Sequence, residues 1–203
     1  VWYRLAKLDE EKNEEPWRIA PKQLEDSYTF DDAVLVATML NTLINNCDRV
    51  KIACLAQLVN VIAPIMTEPN GGIYLQTTYY PYYFASVYGR GEALFAAVDA
   101  PTYDCEAFSG AQSLHVSGVR NKDELFVMLV NRSACELPVT VSLRGARIAS
   151  VKECKQMKSE SLACNTALTP HNVVPFDVSV SVTDNGVQLV APAESIHFIR
   201  LAL

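Results

Sequence analysis

Two side-chain amides, Gln57 and Asn60, interrupt an otherwise apolar run over residues 50–65. A run of this kind is typical of a strand buried on both faces, as in the parallel sheet of an α/β protein. An unpaired buried amide costs about 1–3 kcal/mol, so each must find a partner in the backbone or in a ligand. From the residues alone, hydrogen bonds to neighbouring backbone are the favoured interpretation of Gln57. Asn60 is interpreted as structural.

Acidic residues are the other candidates for chemistry, because a pair of carboxylates can supply a nucleophile and a general acid. Asp31 and Asp32 stand at a predicted helix start, where capping is a sufficient role. Glu68, Glu92 and Asp99 are isolated loop acids. Solvation of the surface is the favoured role for each of these three. No acid in the chain is therefore assigned as catalytic.

Histidine and cysteine spacing gives no sign of a metal site or a cofactor. His115, His171 and His197 lie far apart, and no C-x-x-C pair is present. His197 alternates with Ile196 and Phe198 in a predicted strand, so its side chain is expected to face solvent. The six cysteines are interpreted as free thiols, with a bridge between residues 154 and 164 as the alternative.

The chain changes character near residue 90. Thr29 begins a helix that is predicted to end near Asn46, with Val34, Thr38 and Met39 among the residues at helical spacing. The buried strand is then expected at about 50–60. A glycine-containing loop at 69–72 leads into a tyrosine-rich stretch at 79–88, which is interpreted as packing rather than as a sugar platform.

The second half reads as short strands separated by turns, which indicates a β-sandwich. The Asp-Asn-Gly triplet at 184–186 predicts a tight hairpin turn. Seven strands are expected: Ser113–Val119, Leu125–Val130, Leu137–Leu143, Arg147–Lys152, Val178–Val182, Val187–Val190 and Ile196–Leu201.

The segment DRVKIACLAQLVNVIAPI (residues 48–65) resembles the last barrel strand of the α-L-arabinofuranosidases of glycoside hydrolase family 51. The opening Val-Trp-Tyr (residues 1–3) resembles the tail of that family's Glu-Trp-Asn-Val-Trp-Tyr segment, whose Glu is the catalytic nucleophile. The resemblance implies a mostly β chain: a C-terminal β-sandwich (92–203) preceded by the last α/β elements of a (β/α)8 barrel (1–91).

By this resemblance the chain is the C-terminal part of a retaining, exo-acting enzyme. That enzyme would release L-arabinose from arabinoxylan, arabinan or arabino-oligosaccharides. Both catalytic carboxylates would precede Val1, so the chain by itself is predicted to be inactive. The resemblance assigns Gln57 and Trp2 to substrate binding; packing of the barrel rim remains the alternative for Trp2. The family usually has a Trp near Tyr74, and the departure here weakens any sugar contact from that loop.

The charge and composition of the chain limit the classes of partner that it is expected to bind. A net charge of −6 argues against nucleic acid or an anionic membrane as a partner. Lys51, Gln57 and Asn60 break the longest apolar run, so no transmembrane span is expected. Arabinose-containing saccharides are the expected ligands, and self-association would cover the strand at 50–61. The alternatives are a non-catalytic carbohydrate-binding module and a structural β-sandwich domain.

Overall fold

Helix α1 (Phe30–Asn45) is the first regular element of the computed structural model, which describes residues 17, 19, 26–106, 108–184 and 186–203. The carboxylate of Asp32 reaches back to the start of the helix, where Thr29 N donates to its Oδ2 over 2.7 Å. Asp31 also lies in the first turn, where the helix dipole favours negative charge. Asn46 follows as the C-cap. The predicted helix and its capping acids are confirmed.

The buried face of α1 differs in part from the predicted one. Met39 is 40% exposed, whereas Phe30, Ala33, Ala37 and Leu40 are buried. These four residues recur at intervals of three or four, which places them on one side of a helix. The small alanines allow that side to approach the neighbouring sheet closely.

A six-stranded antiparallel sheet forms the centre of the second half. Its strand order is β10-β9-β13-β7-β6-β3. The strands are β3 (Glu92–Leu94), β6 (Leu114–Asn121), β7 (Glu124–Asn131), β9 (Ser150–Met157), β10 (Phe176–Asp177) and β13 (Ser195–Ala202). Strand β13 pairs with β7 on one side and with β9 on the other, so its backbone is bonded along both edges.

A three-stranded sheet of order β11-β12-β8 covers one face of the large sheet and completes the predicted sandwich. Its strands are β8 (Leu137–Val141), β11 (Ser181–Thr183) and β12 (Gly186–Ala191). Val187 and Leu189 of the small sheet join Val127 and Leu201 of the large sheet in one apolar core. Gly186 has a φ of 129° and begins β12 at the predicted hairpin, where an added Cβ would meet the carbonyl oxygen of Val141.

The opposite face of the large sheet carries two helices, α1 and α2 (Tyr79–Tyr88). The second core lies there and includes Phe30, Phe84, Phe126 and Phe198. The rings of Phe84 and Phe198 stack with centroids 4.1 Å apart. Two isolated hairpins complete the fold, β1 (Ile65–Thr67) with β2 (Ile73–Leu75) and β4 (Thr102–Cys105) with β5 (Phe108–Gln112).

Six of the seven predicted strands correspond to β6, β7, β8, β9, β12 and β13, with shifted ends. The seventh, at 178–182, is reduced to the short β11 at 181–183. The expected strand over 50–60 is wrong as an element of this structure. Only Val59 makes a strand-like bridge, to Ile65, and residues 51–58 are irregular. A strand needs a neighbour that accepts and donates backbone hydrogen bonds, and the described residues offer none to this segment.

Candidate functional site

Gln57 lies on the surface, in the irregular segment that follows α1. Its side chain has no hydrogen-bond partner within the described residues, and its neighbours Ile52 and Leu58 are 81% and 71% exposed. The expectation that Gln57 is buried and held by neighbouring backbone is therefore wrong. An exposed amide with unused donors and acceptors is free to bind a hydroxylated ligand.

The end of this segment is anchored by a second glutamine, Gln76, that sequence reasoning missed. The Gln76 side chain is 1% exposed and makes three hydrogen bonds. Its Nε2 donates to the carbonyl oxygens of Ala63 over 2.8 Å and of Asp26 over 3.0 Å, while its Oε1 accepts from Tyr28 N over 2.8 Å. One buried amide thus ties the chain before α1 to the chain after Gln57.

Tyr28 reinforces this anchor. Its hydroxyl donates to the carbonyl oxygen of Ile62 over 2.9 Å. Burial, and then the charge of Asp32, raises the pKa of the Tyr28 hydroxyl, so it remains a donor. The backbone adds two bonds, from Asp26 N to the Val61 oxygen and from Gln76 N to the Pro64 oxygen. Residues 61–64 are therefore fixed, and Gln57 lies a few residues before them.

Asn60 stabilises the turn between the exposed residues before it and the anchored residues 61–64, in agreement with its predicted structural role. Its Oδ1 accepts from Thr67 N over 2.8 Å, and its Nδ2 donates to Thr67 Oγ1 over 2.9 Å. Asn60 and Val61 both have a φ of 61°, in the left-handed region that a β-branched residue rarely adopts. These bonds hold a strained turn immediately after the exposed part of the segment.

The tyrosine-rich stretch forms helix α2 and packs on the large sheet. Tyr88 lies 5.9 Å from Phe126 between ring centroids, and Arg200 sits 4.2 Å above the Tyr88 ring. Tyr79 and Tyr83 stack on each other one helical turn apart, with centroids 5.8 Å apart. The interpretation of this stretch as packing is confirmed.

His197 points into the interior rather than to solvent, which corrects the alternation argument. The side chain is 0% exposed because β13 is covered on both faces. A 3.0 Å hydrogen bond joins its Nε2 to Gln156 Oε1, and its Nδ1 has no partner among the described residues. Burial lowers the pKa of His197 to about 4, so the ring is neutral near pH 7.

The remaining candidates lie where the residue types suggested. Glu68, Glu92 and Asp99 are exposed, although Glu92 lies on strand β3 and not in a loop as predicted. All six cysteines are free thiols, and burial raises the pKa of Cys154 to about 12.

Within the described part of the chain, no group of three His, Cys, Asp or Glu side chains is placed to hold a metal ion. No described helix has the length and apolarity that crossing a bilayer requires. Trp2 lies outside the described residues.

These observations define a class: a β-sandwich domain whose larger sheet carries two helices, preceded by an anchored loop with an exposed amide. Among the described residues, no close pair of carboxylates suited to acid–base catalysis is found in that loop.

Comparison with known proteins identifies the family. The model of the alpha-L-arabinofuranosidase C-terminal domain matches residues 1–195. The chain is 41% identical over 204 residues to the intracellular exo-alpha-(1->5)-L-arabinofuranosidase 1 of Bacillus subtilis, covering 99% of the chain and 40% of that protein. It is 43% identical over 201 residues to the corresponding Streptomyces lividans enzyme, covering 98% of the chain and 30% of that protein.

Solved structures agree with the sequence comparisons. A family 51 alpha-L-arabinofuranosidase from Bifidobacterium longum superposes with a TM-score of 0.85 at 32% identity, covering 94% of the chain and 38% of that structure. An arabinose complex of the Thermotoga maritima alpha-L-arabinofuranosidase, at 23% identity, shares the fold with a TM-score of 0.77. The chain belongs to the alpha-L-arabinofuranosidase C-terminal domain family. It spans two fifths or less of the length of these relatives.

Proposed function

We propose that this chain is the C-terminal part of a retaining, exo-acting α-L-arabinofuranosidase. The parent enzyme releases L-arabinose from arabinoxylan, arabinan or arabino-oligosaccharides. The observation that carries this proposal is the identity of 41% over 99% of the chain to an exo-arabinofuranosidase. The proposal divides the chain into a terminal barrel segment (1–91) and a C-terminal sandwich (92–203).

Within the parent, Gln57 and Trp2 contact the sugar, and the two catalytic carboxylates are supplied by residues that precede Val1. The exposure of Gln57 and the anchoring of residues 61–64 support the role of Gln57, because a ligand contact needs a free amide on a fixed backbone. The role of Trp2 rests on the resemblance of the Val-Trp-Tyr opening.

The test is made on an aryl α-L-arabinofuranoside. The 203-residue chain alone is expected to show no turnover, and the parent protein is expected to be active. In the parent, Gln57→Ala should lower kcat/KM by about one to two orders of magnitude, since a lost sugar hydrogen bond costs about 1–3 kcal/mol.

Gln188→Ala is the matched control, because Gln188 is also an exposed glutamine but lies on β12 of the small sheet. Its kcat/KM should equal that of the wild type. Unchanged kinetics for Gln57→Ala would remove Gln57 from the substrate site. Turnover by the purified chain alone would contradict the placement of both carboxylates upstream.

The β-sandwich offers little support for a separate carbohydrate-binding module. Such a module needs two or three exposed aromatic rings on one face. Phe126 and Phe198 are 1% and 0% exposed. Of the exposed rings, Phe108 lies on a separate hairpin, while Phe95, directly after β3, and Phe176, on β10, lie at opposite edges of the large sheet. A structural role for the sandwich, which covers α1 and α2, is compatible with the proposed enzyme.

A further inference from the structure

A cleft of about 400 Å³ lies where the end of α2 meets the β6–β7 turn. This volume is within the range of small-molecule sites, which is about 300–1,000 Å³. The inner wall is apolar and includes Val87, Tyr88, Val119 and Phe126. The rim is polar and carries Asn121, Lys122, Asp123, Glu124, Lys152 and Arg200.

Two of the three cations of the rim, Arg200 and Lys152, are held in place by ion pairs. Arg200 donates to both oxygens of Glu124, over 2.7 and 3.2 Å, and to Glu153 Oε2 over 3.2 Å. Its guanidinium also lies over the ring of Tyr88. Lys152 Nζ donates to Glu124 Oε2 over 2.8 Å. Lys122, in the turn, has a φ of 53°. The part of the cleft around Arg200, Glu124 and Lys152 is therefore formed before any ligand binds.

The hydrogen-bond capacity that remains in this rim comprises lysine donors and the exposed carboxylate of Asp123, which has no side-chain partner within the described residues. Both oxygens of Glu124 are already used, and the bond from Arg200 holds the pKa of the Glu124 carboxyl below its usual range. An ammonium group has three N–H donors, and Lys152 uses only one of them in its hydrogen bond to Glu124. The Lys122 ammonium has no partner within the described residues. A ligand that engages both lysines must supply acceptors, and a carboxylate can accept from two ammonium groups.

We propose that this cleft binds the carboxylate of an acidic sugar, such as a uronic acid residue of an arabinose-bearing polysaccharide. That the carboxylate belongs to a saccharide rests on the proposed function. Lys122 and Lys152 bind the carboxylate, and the apolar wall formed by Val87 and Val119 contacts the sugar ring. Arg200 positions Glu124 and so keeps Lys152 at the rim. The cleft would hold acidic chains near the enzyme through a contact that neutral arabinan lacks.

The experiment uses the full 203-residue chain and digalacturonate, with neutral galactobiose and acetate as comparison ligands. Binding is followed by NMR chemical-shift changes and by calorimetry. Digalacturonate is expected to bind, to shift amide signals around residues 119–124, and to bind more weakly as salt is added. Lys122→Gln combined with Lys152→Gln should weaken this binding about tenfold or more, because two charge-assisted hydrogen bonds are lost.

Lys158→Gln removes the same charge beyond the other end of β9 and should leave binding unchanged. Lys152→Gln alone is a second variant if the double variant does not fold. Three results would overturn the site: galactobiose binding as tightly as digalacturonate, Lys158→Gln weakening binding as much as the double variant, or no binding of digalacturonate at millimolar concentration. Acetate binding as tightly as digalacturonate would overturn the saccharide assignment. Activity of the parent on an aryl arabinofuranoside tests the proposed function separately, since that substrate carries no carboxylate.

Discussion

Strand β13 and the segment at 51–58 are both rich in apolar residues, yet they have opposite structures. In β13, Ile196, Phe198 and Ile199 are 0% exposed, and β7 and β9 bond both backbone edges. In the segment, Ile52 and Leu58 are mostly exposed and no strand forms. Apolar residues favour burial, but a strand also needs neighbours that satisfy its backbone.

The largest loss of stability is expected for a substitution in β13, at Phe198. Phe198→Ala should lower the free energy of unfolding by about 3–5 kcal/mol, because it leaves a cavity beneath Phe84 between helix and sheet. Leu58→Ala, in the exposed segment, should change it by about 0.5 kcal/mol or less. Urea denaturation followed by circular dichroism measures both. Equal losses would show that the segment is as well packed as β13.

Acidification should weaken the same sheet through His197. Its pKa is about 4 in the folded chain and near 6.5 in the unfolded chain, so the unfolded state binds the extra proton between these values. The contribution of neutral His197 to stability is therefore fully present above pH 6.5 and is lost as the pH falls towards 4, by about 3 kcal/mol. Below pH 4 both states are protonated and the loss from His197 ends.

Chemical denaturation at pH 7, 5.5 and 4.5 measures this dependence. His197→Gln serves as the comparison, because it cannot titrate in this range while carboxylates such as Glu124 still do. The pH slope of the variant should be shallower. The same slope in both proteins would contradict a neutral, buried His197.

A smaller difference in the free energy of unfolding is expected between substitutions of Gln76 and Gln57. Gln76→Ala should lower the free energy of unfolding by about 2–3 kcal/mol, since it removes three hydrogen bonds that a buried side chain makes to Tyr28 N and to the carbonyl oxygens of Asp26 and Ala63. Gln57→Ala should change the free energy of unfolding by about 0.5 kcal/mol or less, because its side chain is exposed. Thermal unfolding of both variants provides the measurement. A large loss in Gln57→Ala would place that amide in the interior.

Hydrogen exchange compares the same two regions without any substitution and is the mildest of these tests. Amides of 51–58 have no backbone partner within the described residues and should exchange quickly, whereas those of β13 should exchange slowly. Exchange is followed by mass spectrometry on a dilute monomer and again at high concentration. Slowing at high concentration would indicate that another copy covers the segment. Slow exchange in the monomer would contradict the irregular structure of 51–58.

Local patterns were sufficient for much of the fold. Thr29 followed by two aspartates predicted the start of α1, because capping depends on only a few neighbouring residues. Alternation and turn residues located most strands of the sandwich to within a few residues. The resemblance at 48–65 indicated the family that the comparisons identify. It also singled out Gln57, whose contact with a sugar remains a prediction.

Long-range contacts decided the rest. The alternation around His197 indicates an exposed side only for a strand with one covered face, whereas β13 is covered on both. Gln76 has no sequence signal, since its partners at 26, 28 and 63 are distant along the chain. The cleft likewise joins α2, the β6–β7 turn, β9 and β13. The sequence by itself determined which segments tend to be helix, strand or turn, because those tendencies are local. Only the tertiary structure decided which faces are covered and which polar groups meet, because both depend on segments brought together by folding.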